Sequence, residues 1–231
     1  MTMNCSETVS NMERSSRQPA EGFVTDDVDR CVKAIMRRFN PTGQALAAQA
    51  WTARDGTKGW GPVCTNKGKI GCQRLTIPKG SCSTCAARKY TNVSEDLVRR
   101  HVQSSNEKIR YGMYPVLAGN RTAWVALDLD NHVGHKNPEQ DARALLQATD
   151  ALGVPLYLFS SNSGTGFHPY IFFSGHIPAR KARALMLTLA ERASIDLAPS
   201  RDGEGSFDAV FPKQDQLDFG KIGNLIAMPG K

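Results

Sequence analysis

At 231 residues the chain is long enough for one large domain or two small ones. A hydrophobic content of 40% and a charged content of 22% exclude a wholly disordered chain, and no apolar run approaches the ~18–20 residues that span a bilayer. The polar first 22 residues lack the apolar centre of a secretory signal, so a cytoplasmic protein is expected, and its formal charge of +7 is compatible with a nucleic-acid partner without proving one.

Residues 1–22 read as a disordered tail in which Cys5 is a lone thiol. From Thr25 the spacing of Val28, Cys31, Ile35 and Phe39 predicts a helix with those residues inward, ending at Asn40-Pro41. Residues 46–51 are expected to form a second short helix and 56–61 a loop, giving a helical segment over 23–60. Residues 61–110 then form a cysteine module. Between Cys64 and Arg100 lie eight basic residues and two acidic ones, so almost all of the surplus charge sits in about a sixth of the chain.

The same stretch contains Cys64, Cys72, Cys82 and Cys85, spaced C-x7-C-x9-C-x2-C. A two-residue gap lets Cys82 and Cys85 reach one tetrahedral ion from a tight turn, and Gly71 and Gly80 supply the turns. Without a secretory signal the compartment is reducing, which argues against two disulfides. The Lys/Gly/Ser surroundings do not suit a redox C-x-x-C, which belongs at a helix start after a strand. A structural Zn²⁺ is therefore expected. A basic loop held in this way suits contact with phosphates, the bland alternative being a solvated basic face.

Ser94 is placed to cap a helix running through His101. From Tyr111 onward strand and helix patterns alternate, defining a core over 111–231. Residues 122–130 alternate, with Trp124, Ala126, Asp128 and Asp130 on one face and Val125, Leu127 and Leu129 on the other. Asn137-Pro138-Glu139 opens a helix whose stripe is Ala142, Leu145, Leu146, Thr149 and Leu152. Strands follow at 154–159 and 168–173, and then a helix at 178–193 with Ala182, Leu185, Met186 and Leu189 inward. Strands are expected at 207–211 and 222–228. The order is β-α-β-β-α-β, an α+β fold of the ferredoxin-like or RRM-like kind.

Asp128 and Asp130 share a strand face with Cα atoms ~6.5–7 Å apart. Two carboxylates so placed can converge on divalent ions, the usual device for in-line phosphoryl or nucleotidyl displacement; the alternative is a pair of solvated acids. A strand ending in D-x-D also opens haloacid-dehalogenase phosphatases. Those usually have Thr or Val two residues after the second Asp, where this chain has His132. The turn from Ser160 to Gly166 holds Ser163, Gly164 and Gly166, whose amides and hydroxyls can cradle an anion, and His168 follows at its mouth.

The strand acids, the S-G-x-G-x-H turn and the ending Phe211-Pro212-Lys213-Gln214-Asp215 … Gly223-Asn224-Leu225-Ile226-Ala227-Met228-Pro229 together resemble the archaeo-eukaryotic primase superfamily. The nearest resemblance is to the primase-polymerase modules found with helicases in TOTE conflict systems and to related mobile-element primases. The cysteine module, His101 and Tyr111-Gly112-Met113-Tyr114-Pro115 extend it over roughly residues 60–229. The resemblance implies a DNA-directed primase-polymerase, a nucleotidyltransferase acting on a single-stranded DNA or RNA template with nucleoside triphosphates. Mg²⁺ or Mn²⁺ would sit on Asp128, Asp130 and a third carboxylate, Asp208 or, as runner-up, Asp215. Ser163 and His168, with the amides around Gly164 and Gly166, would hold the triphosphate; Lys213 and Asn224 would face nucleotide or template. A helicase or another chain is an expected partner. Family members continue beyond the last strand, so the core is expected to be C-terminally truncated, and a catalytically weak zinc-containing single-strand-binding module is the alternative.

Overall fold

The computed structural model describes residues 24–53, 55–73, 85–106, 109–131, 137–161, 164–199 and 205–230. The tail at 1–22, Cys82 and Ser163 therefore lie outside the described residues. Helix α1, Val24–Phe39, buries Cys31, Val32, Ile35 and Phe39, the inner stripe that the spacing predicts. It stops at Asn40, which is buried and bonded on both sides. The Asn40 amide donates to the Val93 carbonyl at 3.0 Å, and its oxygen accepts from the Ala45 N–H at 2.9 Å.

The segment expected as helix at 46–51 and loop at 56–61 is instead a pair of strands. β1, Ala47–Thr52, runs antiparallel to β2, Lys58–Pro62, in register from Ala48↔Pro62 to Thr52↔Lys58. Alanine favours a helix locally, but tertiary pairing overrides that preference. Ala47 and Ala48 are fully buried, and the Trp51 ring lies where Gly59 would otherwise carry a side chain. β1 also pairs with β3, Tyr111–Met113, and β3 with β8, Ile226–Ala227, giving the sheet order β2-β1-β3-β8. Gly112 is required at the β3–β8 seam, because a Cβ there would collide with the Ile226 carbonyl oxygen. The sheet thus joins segments from both sides of the boundaries expected at 60/61 and 110/111.

Helix α2, Glu95–Gln103, starts at Ser94, whose hydroxyl accepts from the Leu97 N–H. Its His101 is fully buried. The Tyr111 N–H donates to His101 Nδ1 at 3.1 Å, so Nε2 carries the proton and faces the Met228 carbonyl at 3.1 Å. One imidazole thereby ties α2, β3 and the chain beyond β8 together.

The second sheet consists of β4, Arg121–Leu129; β5, Tyr157–Ser160; β6, Phe167–Pro178; and β7, Phe207–Phe211. Helix α3, Pro138–Asp150, follows β4, and α4, Ala179–Arg192, follows β6. The chain order is the predicted β-α-β-β-α-β, and the strands lie antiparallel in the order β5-β6-β4-β7. The alternation along β4 divides the core as expected. Val125, Leu127 and Leu129 pack under Ala142, Leu145, Ala182, Met186 and Leu189 of α3 and α4. Trp124 and Ala126 face α1, α2 and the first sheet. Two residues predicted inward are not: Leu152 lies beyond the last turn of α3 and Leu185 at the margin of its stripe, and both are exposed. Among the described residues no helix is long and apolar enough to cross a membrane.

Candidate functional site

β4 is buried along most of its length and emerges at its end, so its two acids are half-buried rather than solvated. The register places Asp128 beside His168 of β6, between the pairs Ala126↔Tyr170 and Leu129↔Phe167. His168 Nε2 stands 3.1 Å from Asp128 Oδ1, with side-chain exposures of 13% and 22%. A carboxylate only accepts, so this bond holds the imidazole proton on Nε2. Beneath the pair lies Tyr170, fully buried, its hydroxyl without a hydrogen-bond partner among the described residues. Burial first, and the nearby Asp128 charge second, push its phenol far above the usual range.

Asp130 sits one residue past β4. Its N–H donates to the Ser206 carbonyl at 2.8 Å, and its Oδ1 accepts from the Asn131 N–H at 2.7 Å. Ser206 is itself fixed, because its N–H and hydroxyl both donate to Asp141 Oδ2, at 3.1 and 2.6 Å. Asp141 lies in the first turn of α3, where a negative charge suits the helix dipole. This Asp141–Ser206 link positions the backbone of Asp130 and was missed in the sequence. The only signal there is an acid near a helix start, which helix chemistry already explains.

On the other side of β4, Asp128 faces Ala209 and Leu129 faces Phe207, which leaves Asp208 as the extra residue of a β-bulge. A bulge sets two residues against one and re-aims the side chain. Here Asp208 and Ala209 share Asp128 as their opposite number. Asp215 has a different environment: 60% exposed, its carboxylate accepts from Arg183 Nε at 2.7 Å, while Arg183 Nη1 donates to the Pro212 carbonyl.

The glycine turn is closed on itself. The Ser161 N–H donates to the Gly166 carbonyl, the Gly166 N–H to the Ser161 hydroxyl and the Gly164 N–H to the Ser161 carbonyl. The amides of Gly164 and Gly166, expected to point at phosphates, are thus engaged within the turn. Gly166 packs so tightly against β4 that a Cβ would strike the Leu129 carbonyl oxygen, which brings the turn against the strand end carrying Asp130. Lys213 lies over the Phe211 ring at 5.0 Å, and the Asn224 side chain meets that of Gln214.

Cys64, Cys72 and Cys85 line one small cavity of about 30 Å³, the latter two buried. The Lys89 N–H donates to Cys64 Sγ at 3.3 Å. Among the described residues no three His, Cys, Asp or Glu side chains form a ready ion-binding group, and Cys82 is outside them. The donor chemistry separates two kinds of ion: sulfurs, as around the cavity, suit zinc, whereas carboxylate oxygens, as at the end of β4, suit Mg²⁺ or Mn²⁺.

An antiparallel β-α-β-β-α-β sheet thus carries two acids at the end of an inner strand with a histidine beside one of them, an arrangement suited to divalent ions and phosphate chemistry. A family model described as the archaeo-eukaryotic primase domain of TOTE conflict systems matches residues 35–231. The chain belongs to that family, a family of primase-polymerase nucleotidyltransferases. Among solved structures, the polymerase domain of ligase D from Mycobacterium tuberculosis, in complex with DNA, is similar in fold. Its TM-score is 0.51 at 11% identity, over 89% of this chain and 77% of that one. No curated protein matches the chain.

Proposed function

We propose that the chain is a metal-dependent primase-polymerase that synthesises or extends primers on a single-stranded nucleic-acid template. The observation that carries this reading is the arrangement around Asp128, with His168 bonded to it from β6 and the Asp208 bulge opposite it on β7. The family match and the DNA-bound ligase polymerase domain of similar fold support it. They leave the phosphatase alternative without support.

In this reading Asp128, Asp130 and Asp208 hold Mg²⁺ or Mn²⁺. The ions, when bound, make the attacking hydroxyl more acidic and offset charge on the α-phosphate and the pyrophosphate leaving group. The protein's own part is positioning. The His168 ring is fixed by its Nε2 bond to Asp128, which leaves its other edge at the mouth of the cleft for the triphosphate. Gly166, bonded to Ser161 and packed against the Leu129 carbonyl, holds the nucleotide side of the cleft against β4, which lowers the entropy cost of in-line attack. The Asp141–Ser206 link keeps Asp130 from drifting when phosphate charge enters. A zinc ion on Cys64, Cys72, Cys82 and Cys85 would brace the basic loop that tracks the template backbone, a sequence-independent contact. A helicase is the partner that the family context suggests.

The test is template-directed nucleotide incorporation with Mg²⁺ or Mn²⁺, comparing wild type with Asp128→Ala. Loss of at least ~10³-fold is expected, on the order of 4 kcal/mol of transition-state stabilisation. Incorporation undiminished in Asp128→Ala would overturn the assignment.

A further inference from the structure

The end of the β4–β6 ladder remote from Asp128 opens into a pocket of about 520 Å³ that the proposed reaction does not use. That volume lies within the ~300–1,000 Å³ of ordinary ligand sites. Arg37 and Arg38 from the last turn of α1, Arg121 from the start of β4, and Thr42 and His176 line it, with Phe172 at its base. Seven residues at ~3.3 Å each put Arg121 about 23 Å along the strand from Asp128.

The register explains the opening. Thr122 faces Ile177 and Trp124 faces Phe172, so two steps on β4 match five on β6. Residues 173–176 stand against Ala123 alone, and this extra length of β6 forms one wall. Irregularities of this kind commonly adjoin binding sites.

The pocket is also electrically one-sided. Among the described residues no carboxylate pairs with Arg37, Arg38 or Arg121. Arg121 donates to the His176 carbonyl, and Thr42 Oγ1 lies 3.5 Å from His176 Nε2. Arg38 is stacked over Tyr157 and Phe172, at 5.4 and 5.8 Å from the ring centroids, and its buried Nε has no hydrogen-bond partner. Relief of the α1 dipole accounts for arginines in the last turn of that helix. It does not account for an arginine brought in from β4, nor for a buried guanidinium donor left unpaired.

We propose that this pocket is a second anion site, holding a backbone phosphate of a nucleic-acid strand away from the reaction centre. The lining offers guanidinium groups and hydroxyls, the usual donors to phosphate oxygens, and no carboxylate to repel them. A bound phosphate would accept from the guanidinium groups that face the pocket and offset part of its positive charge. The inference rests on the chain's being a nucleic-acid protein but not on its catalysing polymerisation.

The experiment measures binding of a fluorescent twenty-nucleotide oligothymidylate by anisotropy across a salt series. Wild type is compared with Arg37→Glu and Arg121→Gln. Arg37 is exposed and unpaired, so its replacement does not threaten folding; Arg121→Gln is checked by thermal melt. Arg37→Glu should weaken binding about tenfold or more and reduce the log–log salt slope by about 0.7 per neutralised guanidinium. Inorganic pyrophosphate, titrated in parallel, identifies the source of the phosphate. If Arg37→Glu and Arg121→Gln lose pyrophosphate affinity yet bind the oligonucleotide normally, the occupant is a free anion and the strand proposal falls. If neither ligand is affected, the pocket is no anion site. Strand binding lost in Arg37→Glu while wild type incorporates no nucleotide would leave this site standing and remove the polymerase reading. Normal incorporation with unaltered strand binding in the arginine variants would do the reverse.

Discussion

Replacing Tyr170 with Phe should make the protein more stable. The Tyr170 ring is enclosed on all sides, with Phe39, Trp124 and Phe159 edge-on at 5.0, 5.4 and 5.5 Å and Phe172 stacked at 5.8 Å. Phenylalanine keeps each of these contacts and removes only a buried hydroxyl that lacks a partner. An unsatisfied buried polar group costs about 1–3 kcal/mol. At ~2–4 °C per kcal/mol for a chain of this size, Tm should rise by about 2–12 °C. The pH dependence has a definite sign. Burial and the Asp128 charge raise the phenol pKa well above its usual 10.0. Below pH 10 the folded and unfolded chains both keep this proton, and the stabilisation is intact. Above pH 10 the unfolded chain releases it and the folded chain does not, so stability falls by up to about 1.4 kcal/mol per pH unit. Tyr170→Phe lacks that component. Thermal melts followed by circular dichroism between pH 7 and pH 11 measure both effects. A lower Tm at pH 7 would refute the reasoning, since it would mean that the hydroxyl is satisfied; equal alkaline slopes in the two proteins would refute the electrostatic part.

The choice between Asp208 and Asp215 has an equally direct measurement. Asp208→Asn should reduce nucleotide incorporation at least ~10²-fold, because the bulge sets this residue opposite Asp128 in the register. Asp215→Asn breaks a largely exposed ion pair worth about 1 kcal/mol or less and should leave incorporation within about twofold. The opposite ranking would exchange the two residues. For the cysteine module, elemental analysis of purified protein should find about one zinc per chain, lost in Cys82→Ser/Cys85→Ser with a fall in melting temperature. A zinc-free wild type of unchanged stability would remove the ion from the proposal.

Local patterns carried most of the second sheet. The strict alternation from Thr122 to Asp130 fixed both faces of β4, because a strand with its two faces in different cores has only one register that buries Val125, Leu127 and Leu129 under the helices. Ser94 and Asn137 marked two helix starts, since each side chain can satisfy an otherwise unpaired N–H within the same turn. Residues 47–52 misled for the complementary reason. Their helical preference is local, whereas their strand conformation rests on hydrogen bonds to residues 58–62 and 111–113.

The site divides in the same way. Asp128, Asp130, the glycine turn and His168 were legible because chemistry-bearing residue types recur at strand spacing over a short span. That span determined which residues are candidates, and the placement of the +7 surplus near the cysteines determined where a phosphate backbone is expected. Only the tertiary structure decided how they meet. The antiparallel register sets His168 against Asp128, and one extra residue in β7 brings Asp208 to the same position. The Asp141–Ser206 link crosses 65 residues. Arg37, Arg38, Arg121 and His176 share a pocket only because α1 packs at the far end of β4 where β6 carries its extra length. A sequence displays periodicity because each side chain's direction follows from its immediate backbone. It does not display register slips, bulges or contacts across the core, because those are set by which distant surfaces bury one another.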